Sequence, residues 1–233
     1  QAFWLTLTSL ATVGYGDVAA RTPMGQLTTI VLMYGCGITL MTFLISDYVD
    51  FRIARRERIR TGHWDWNMAE HILIINAPKY NHEAYFLRMV NQIRESGEYT
   101  DMPIMLLNQD FADGLPDSLR RLGVVHVTGL ASRPDDLAQA GVERARHIVV
   151  LSRDEYSSDS DSYTFDVCYR LYERHLGPRV IAEVVDDANR PRLRDLHIKT
   201  LLRPIRSYPE IIVRAMVAPG VELIIEDMFT HAN

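Results

Sequence analysis

Cysteine is scarce in this chain. Its 233 residues hold two, Cys36 and Cys168. Two distant cysteines build neither a disulfide framework nor a paired zinc-ligand motif. The eight histidines are scattered, with no His-Glu-x-x-His run and no Cys/His pairing, so the common zinc-hydrolase patterns are absent. Positive charge is not in excess: 25 Lys and Arg face 30 Asp and Glu, for a net charge of -5. No basic domain is left over to carry nucleic-acid binding. No signal-peptide pattern and no nucleophile motif with a matching base occur.

What is present begins with Thr12-Val13-Gly14-Tyr15-Gly16-Asp17. Backbone carbonyls of such a stretch can replace the hydration shell of a potassium ion. The two glycines allow backbone angles that a Cβ would penalise, so successive carbonyls can point one way. The six residues match the signature filter of potassium channels, and the chain resembles that family. The apolar residues 2–11 before it resemble a pore helix, and Thr22-Pro23-Met24-Gly25 with the apolar run behind it resembles an inner helix. The resemblance implies a potassium path lined by Thr12, Val13, Gly14, Tyr15 and Gly16, with the ion held at Thr12, Val13, Gly14 and Tyr15. It also implies that Trp4 supports the filter by bonding Asp17. Thr8 departs from the family pattern, since many bacterial relatives carry a glutamate there that bonds the aspartate.

Hydropathy agrees with a membrane segment. Residues 27–51 are mostly apolar, with no charge before Asp47. A bilayer core of about 30 Å needs roughly 20 helical residues, which residues 27–46 supply. The arginine-rich run 52–60 follows directly, and such runs mark the cytoplasmic side. The mean hydropathy of -0.08 averages a short membrane part with a long soluble one. The expected organisation is pore helix, filter and inner helix over 1–51, a basic linker over 52–67 and a cytoplasmic domain over 68–233. Because a pore helix opens the chain, at least one transmembrane helix is expected to precede it in a longer protein. Gly35 and Gly37 lie midway along the inner helix, where glycine costs about 1 kcal/mol relative to alanine. The family uses a glycine there as a bending point, so both are candidate hinges; close helix packing is the competing reading. Asp47 and Asp50, near the cytoplasmic end, ring the pore mouth if four subunits surround it, or else pair with Arg52 or Arg55.

The rest alternates short apolar runs with amphipathic stretches. Strands are expected near residues 71–75, 103–107, 124–127, 147–151, 180–185 and 200–203. Helices are expected at 81–96, 116–122, 133–141, 162–176, 190–196 and 211–218. This alternation predicts a mainly parallel α/β sheet covered on both faces. The first strand leads into Asn76-Ala77-Pro78-Lys79-Tyr80-Asn81, which holds no glycine, and Pro78 removes an amide donor. The second ends in Asn108-Gln109 rather than an acid, which speaks against ordinary NAD binding. Element order and local runs, such as residues 125–130 before Arg133-Pro134-Asp135-Asp136-Leu137, resemble the RCK domain, the cytoplasmic regulator of potassium conductance. The resemblance implies a homotetrameric channel whose Rossmann-like RCK domains form a ring below the pore and act on the inner helices when a ligand binds.

The ligand is the least legible part. Acids gather after the fourth strand (Asp154, Glu155, Asp159, Asp161) and around the end of the fifth (Glu183, Asp186, Asp187). Ligands bind at strand C-terminal ends in open α/β sheets, and calcium takes several oxygens. Calcium-gated relatives carry an acid after the fourth strand and a glutamate pair on the fifth. Asp154 and Glu183 match part of that set, while Val185 replaces the second glutamate. A regulatory calcium site at Asp154 and Glu183 is therefore one expectation. A solvated acidic loop, paired with Arg153 or Arg179, is the other, and Asp159 and Asp161 also fit as N-caps of the helix near Ser162. Two function classes compete: a ligand-gated potassium channel, not an enzyme, and an α/β enzyme or nucleotide-binding module on a membrane anchor. The filter motif favours the first.

Overall fold

A computed structural model describes residues 1–10, 13–205, 210–220 and 224. The chain divides into two compact units, Gln1–Glu57 and Arg58–Asn233.

The first unit starts with helix α1 (Ala2–Leu10), then the loop that holds Gly14 and Gly16, then α2 (Pro23–Thr28). Thr22 caps α2: its hydroxyl accepts from the Gly25 amide at 3.1 Å, and Pro23 takes the first helical position, where a missing N–H costs nothing. A π-helical stretch, Thr29–Ile38, and α3 (Thr39–Arg60) continue the path. The hydroxyls of Thr28, Thr29, Thr39 and Thr42 each donate to the carbonyl four residues back. That satisfies polar groups within an otherwise apolar segment. The sequence reading expected one uninterrupted spanning helix over 27–46. No single helix among the described residues is long and apolar enough to cross a membrane. The apolar stretch is instead shared between α2, the π-helical residues and the start of α3, which goes on to carry Asp47, Asp50 and the arginine run. Leu27, Ile30, Leu40, Phe43 and Leu44 are exposed along this path. α3 ends in a Schellman motif: the Gly62 amide reaches Ile59 O at 3.4 Å and the His63 amide reaches Arg58 O at 2.8 Å, with Gly62 at φ +74°.

The second unit is a six-stranded sheet, entirely parallel. The strands are β1 (Ile72–Ile75), β2 (Ile104–Asn108), β3 (Val124–Thr128), β4 (His147–Val150), β5 (Val180–Glu183) and β6 (Thr200–Leu202), in the order β3-β2-β1-β4-β5-β6. Ile72 stands opposite Ile104 on one side and His147 on the other. β1, β2, β4 and β5 are buried along their whole length, as continuous Ile, Leu and Val runs require when helices cover both faces. The helices are α4 (His82–Glu95), α5 (Asp117–Arg121), α6 (Pro134–Gln139), α7 (Asp159–Glu173), α8 (Arg190–Arg194) and α9 (Glu210–Val217). One core places Ile72, Ile74 and Leu106 against Phe86, Met89, Leu119 and Met216 of α4, α5 and α9. The other places Leu73, Ile75 and Val150 against Leu137, Val167, Leu171 and Leu193 of α6, α7 and α8. α7 begins at Asp159, three residues before the expected start.

Candidate functional site

The loop of residues 13–17, expected from the sequence to be the filter, is tied to α1. The Thr8 carbonyl, at the last turn of α1, accepts the amides of Val13 at 3.0 Å and Gly14 at 3.1 Å. Gly14 and Gly16 have φ of +55° and +72°, the left-handed region that glycine enters without a Cβ penalty. Among the described residues of the chain nothing lies within 4 Å of a Cβ placed on either, so the left-handed φ is what asks for glycine here. The Trp4 indole donates to Asp17 Oδ2 at 2.8 Å, the tie expected from the sequence, and stacks on Tyr15 with ring centres 5.9 Å apart. The Thr8 hydroxyl turns back into its own helix, bonding Trp4 O at 2.9 Å and Leu5 O at 3.3 Å. Thr12 lies outside the described residues.

Gly35 and Gly37 both fall in the π-helical stretch, and the Gly35 carbonyl accepts the Thr39 hydroxyl at 2.5 Å. Wide helical turns of this kind recur at kinks and functional sites. Asp47 and Asp50 lie on α3, three residues apart and exposed.

In the second unit, a cavity of about 300 Å³ opens at the C-terminal ends of β1 and β4. Its neighbours in the strand order, β2 and β5, run off in opposite directions there, so it occupies the topological switch point. Lys79, Arg88, Arg153, Asp154 and Glu155 line it, with Tyr80 and Tyr156. The glycine-free loop after β1 is pinned by main chain: Asn76, at φ +70°, donates through its side-chain amide to Leu151 O at 2.9 Å, and the Lys79 amide reaches Arg153 O at 2.9 Å. The Lys79 ammonium meets Asp154 Oδ2 at 3.1 Å, and this bond raises the Lys79 pKa.

The acids expected at this end of the sheet take separate partners. Asp154 faces Lys79 and accepts the Tyr156 amide at 3.0 Å. Glu183, buried at the end of β5, accepts the Ser152 amide at 2.8 Å. Arg179 donates to the carbonyls of Glu143 and Ala145, and Arg153 lies over the Tyr163 ring. Among the described residues, no three His, Cys, Asp or Glu side chains gather as a metal site does. Asp161 corrects the sequence reading. It is no N-cap but a buried carboxylate inside α7 that accepts from Val185 N at 2.8 Å, Asp186 N at 2.9 Å and Asn189 Nδ2 at 2.8 Å. It ties α7 to the loop after β5.

Known proteins agree with this architecture. Residues 1–53 match the ion-channel family model, and residues 90–204 match that of the TrkA-N domain. The chain is similar to curated bacterial and archaeal potassium channels. The calcium-gated potassium channel TvoK of Thermoplasma volcanium is 26% identical over 227 residues, covering 94% of this chain and 60% of the relative. Potassium channel protein 1 of Methanocaldococcus jannaschii is 24% identical over 204 residues, covering 85% of this chain and 55% of the relative. The chain thus spans little more than half the length of these curated relatives. Among solved structures, the GsuK channel superposes with a TM-score of 0.55 at 19% identity, over 85% of this chain and 34% of that one. GsuK bound to NAD gives 0.51, at the same identity and coverage. At these identities the superpositions show the fold.

Proposed function

We propose that this chain is the conducting and regulating part of a potassium-selective channel. Four copies of residues 12–16 line the ion path, and their α/β domains form a cytoplasmic ring that controls the inner helices. The observation that carries this reading is the filter loop: two left-handed glycines, amides pinned on Thr8 and the Trp4–Asp17 tie all serve to hold a carbonyl-lined turn in one shape. Four subunits are needed because one loop supplies one side of a path. Gly35 or Gly37, in the π-helical stretch, gives the inner helix its bending point, and Asp47 and Asp50 ring the inner mouth and concentrate cations. The arginine run after residue 52 sets the α/β domain in the cytoplasm.

The regulator docks at the switch-point cavity. Lys79, Arg88 and Arg153 outnumber Asp154 and Glu155 there, which favours an anionic small molecule. GsuK has been solved with NAD, but the loop of residues 76–81 lacks the glycines of the usual pyrophosphate cradle, so a nucleotide would sit differently here. Calcium at Asp154 and Glu183 is the second reading, favoured by the calcium gating named for the Thermoplasma relative. It requires Lys79 to release Asp154. The test of the main reading is transport. The full-length protein in vesicles should pass potassium in preference to sodium, and Gly16→Ala, which forces a Cβ into φ +72°, should abolish that preference. Unchanged selectivity in the variant would sink the filter assignment.

A further inference from the structure

Among the described residues β3 is an edge strand, with β2 its single sheet neighbour. Exposed edges invite unwanted pairing and are commonly covered. Here the cover is the segment that leaves α3. The Thr128 amide donates to Gly62 O at 3.0 Å, the Thr128 hydroxyl to Thr61 O at 2.8 Å, and the Trp66 indole to His126 O at 3.3 Å. Arg60 donates to Asp113 O at 3.0 Å. Trp66 packs with the second core, while His126 hydrogen-bonds Phe111, a member of the first, so the segment wraps the strand from one face to the other.

His126 lies directly under this wrap. It is 3% exposed, and its Nε2 bonds Phe111 O at 3.2 Å. A Cβ placed on Gly62 would fall 2.7 Å from the imidazole and 2.6 Å from Thr128 Oγ1, so only a bare backbone can lie across the ring. We propose that residues 60–66 form a proton-controlled strap, fastened to β3 while His126 is neutral and released when it takes up a proton.

The groups around the imidazole agree. From the strap, His63 acts as a like charge; from the loop after β2, the Phe111 carbonyl accepts from the ring. Arg60, also on the strap, is turned onto the Asp113 carbonyl. β2 presents Leu106 opposite His126. Burial holds the His126 pKa below its ordinary 6.5, with the Phe111 bond opposing and His63 adding to the shift. The sign follows: the fastened form is fully favoured above pH 6.5, and acid favours the released form, whose exposed histidine binds the proton. If the fastened form stays neutral, linkage multiplies the released population about tenfold between pH 7.5 and 5.5.

The test is amide hydrogen exchange by mass spectrometry on the full chain in detergent, corrected for the intrinsic pH dependence of exchange. Protection in peptides covering the strap and β3 should fall about tenfold from pH 7.5 to 5.5, while β5 and β6 keep theirs. His126→Gln, whose amide can still donate to Phe111, should remove the pH response, and His63→Gln should keep it. Exchange of the imidazole C2 hydrogen in the unmodified protein reads the His126 pKa directly, and it should lie below 6.5. Equal protection at both pH values, an unchanged response in His126→Gln, or a His126 pKa at or above 6.5 would each overturn the proposal. These readouts need no ion current, so they stand or fall apart from the conduction reading.

Discussion

Asp161 offers the sharpest quantitative test of the fold. It is 2% exposed, and its carboxylate takes three hydrogen bonds, two from main-chain amides in the loop after β5 and one from Asn189. Hydrogen bonds to a charged acceptor contribute about 1.5–3 kcal/mol each, and a buried amide left without an acceptor costs about 1–3 kcal/mol. Asp161→Ala removes all three bonds and strands both amides. Relief of carboxylate desolvation offsets part of the loss, so the net destabilisation is expected at about 3–5 kcal/mol. For a domain of this size, 1 kcal/mol moves the melting temperature by about 2–4 °C. The α/β transition should therefore fall by roughly 6–20 °C in a thermal scan of the detergent-solubilised chain followed by circular dichroism. Asp161→Asn keeps one carbonyl oxygen and should lose about half as much. A fall of less than about 2 °C in the alanine variant would refute the tie between α7 and the loop after β5.

Two further outcomes are expected. Calcium bound at Asp154 and Glu183 should raise the melting temperature of the full chain with concentration, and Glu183→Gln should remove the shift; a melting temperature indifferent to calcium up to about 10⁻³ M rules that site out. Cys168 is fully buried in α7 and its thiol is pushed up to about 12 by burial, so in a Cys36→Ala chain a maleimide at pH 7.5 should label it only after unfolding, and rapid labelling of that native chain would contradict the packing of α7.

The strands were legible because a parallel sheet covered on both faces needs unbroken apolar runs, and runs such as Ile72-Leu73-Ile74-Ile75 have no other simple reading. The left-handed turns at Gly14 and Gly16 were legible because a positive φ favours glycine, so the motif itself marks the backbone shape. The side-chain partners were not. Lys79 and Asp154 meet across 75 residues of sequence, and Asp161 reaches Val185 across 24, distances at which local pattern carries no signal. The arginines 153 and 179 seemed the natural counter-ions by proximity in sequence, yet Arg179 serves main-chain carbonyls. The strap has one trace in the sequence: Gly62 directly after a basic helical run is a helix-stop signal. The division of the inner helix into α-helical and π-helical turns left none beyond the glycine pair.

The pairing of β1 bears on how the chain is made. β1 sits at the middle of the sheet and pairs with β4 as well as β2, yet β4 ends at Val150, 75 residues after Ile75. At about 5–20 residues per second, a ribosome needs roughly 4–15 s to deliver the second partner. Through that interval a strand of four consecutive isoleucine and leucine residues has one side without its neighbour. A chain truncated before β4 should therefore be prone to aggregate, since one side of β1 stays without its strand partner.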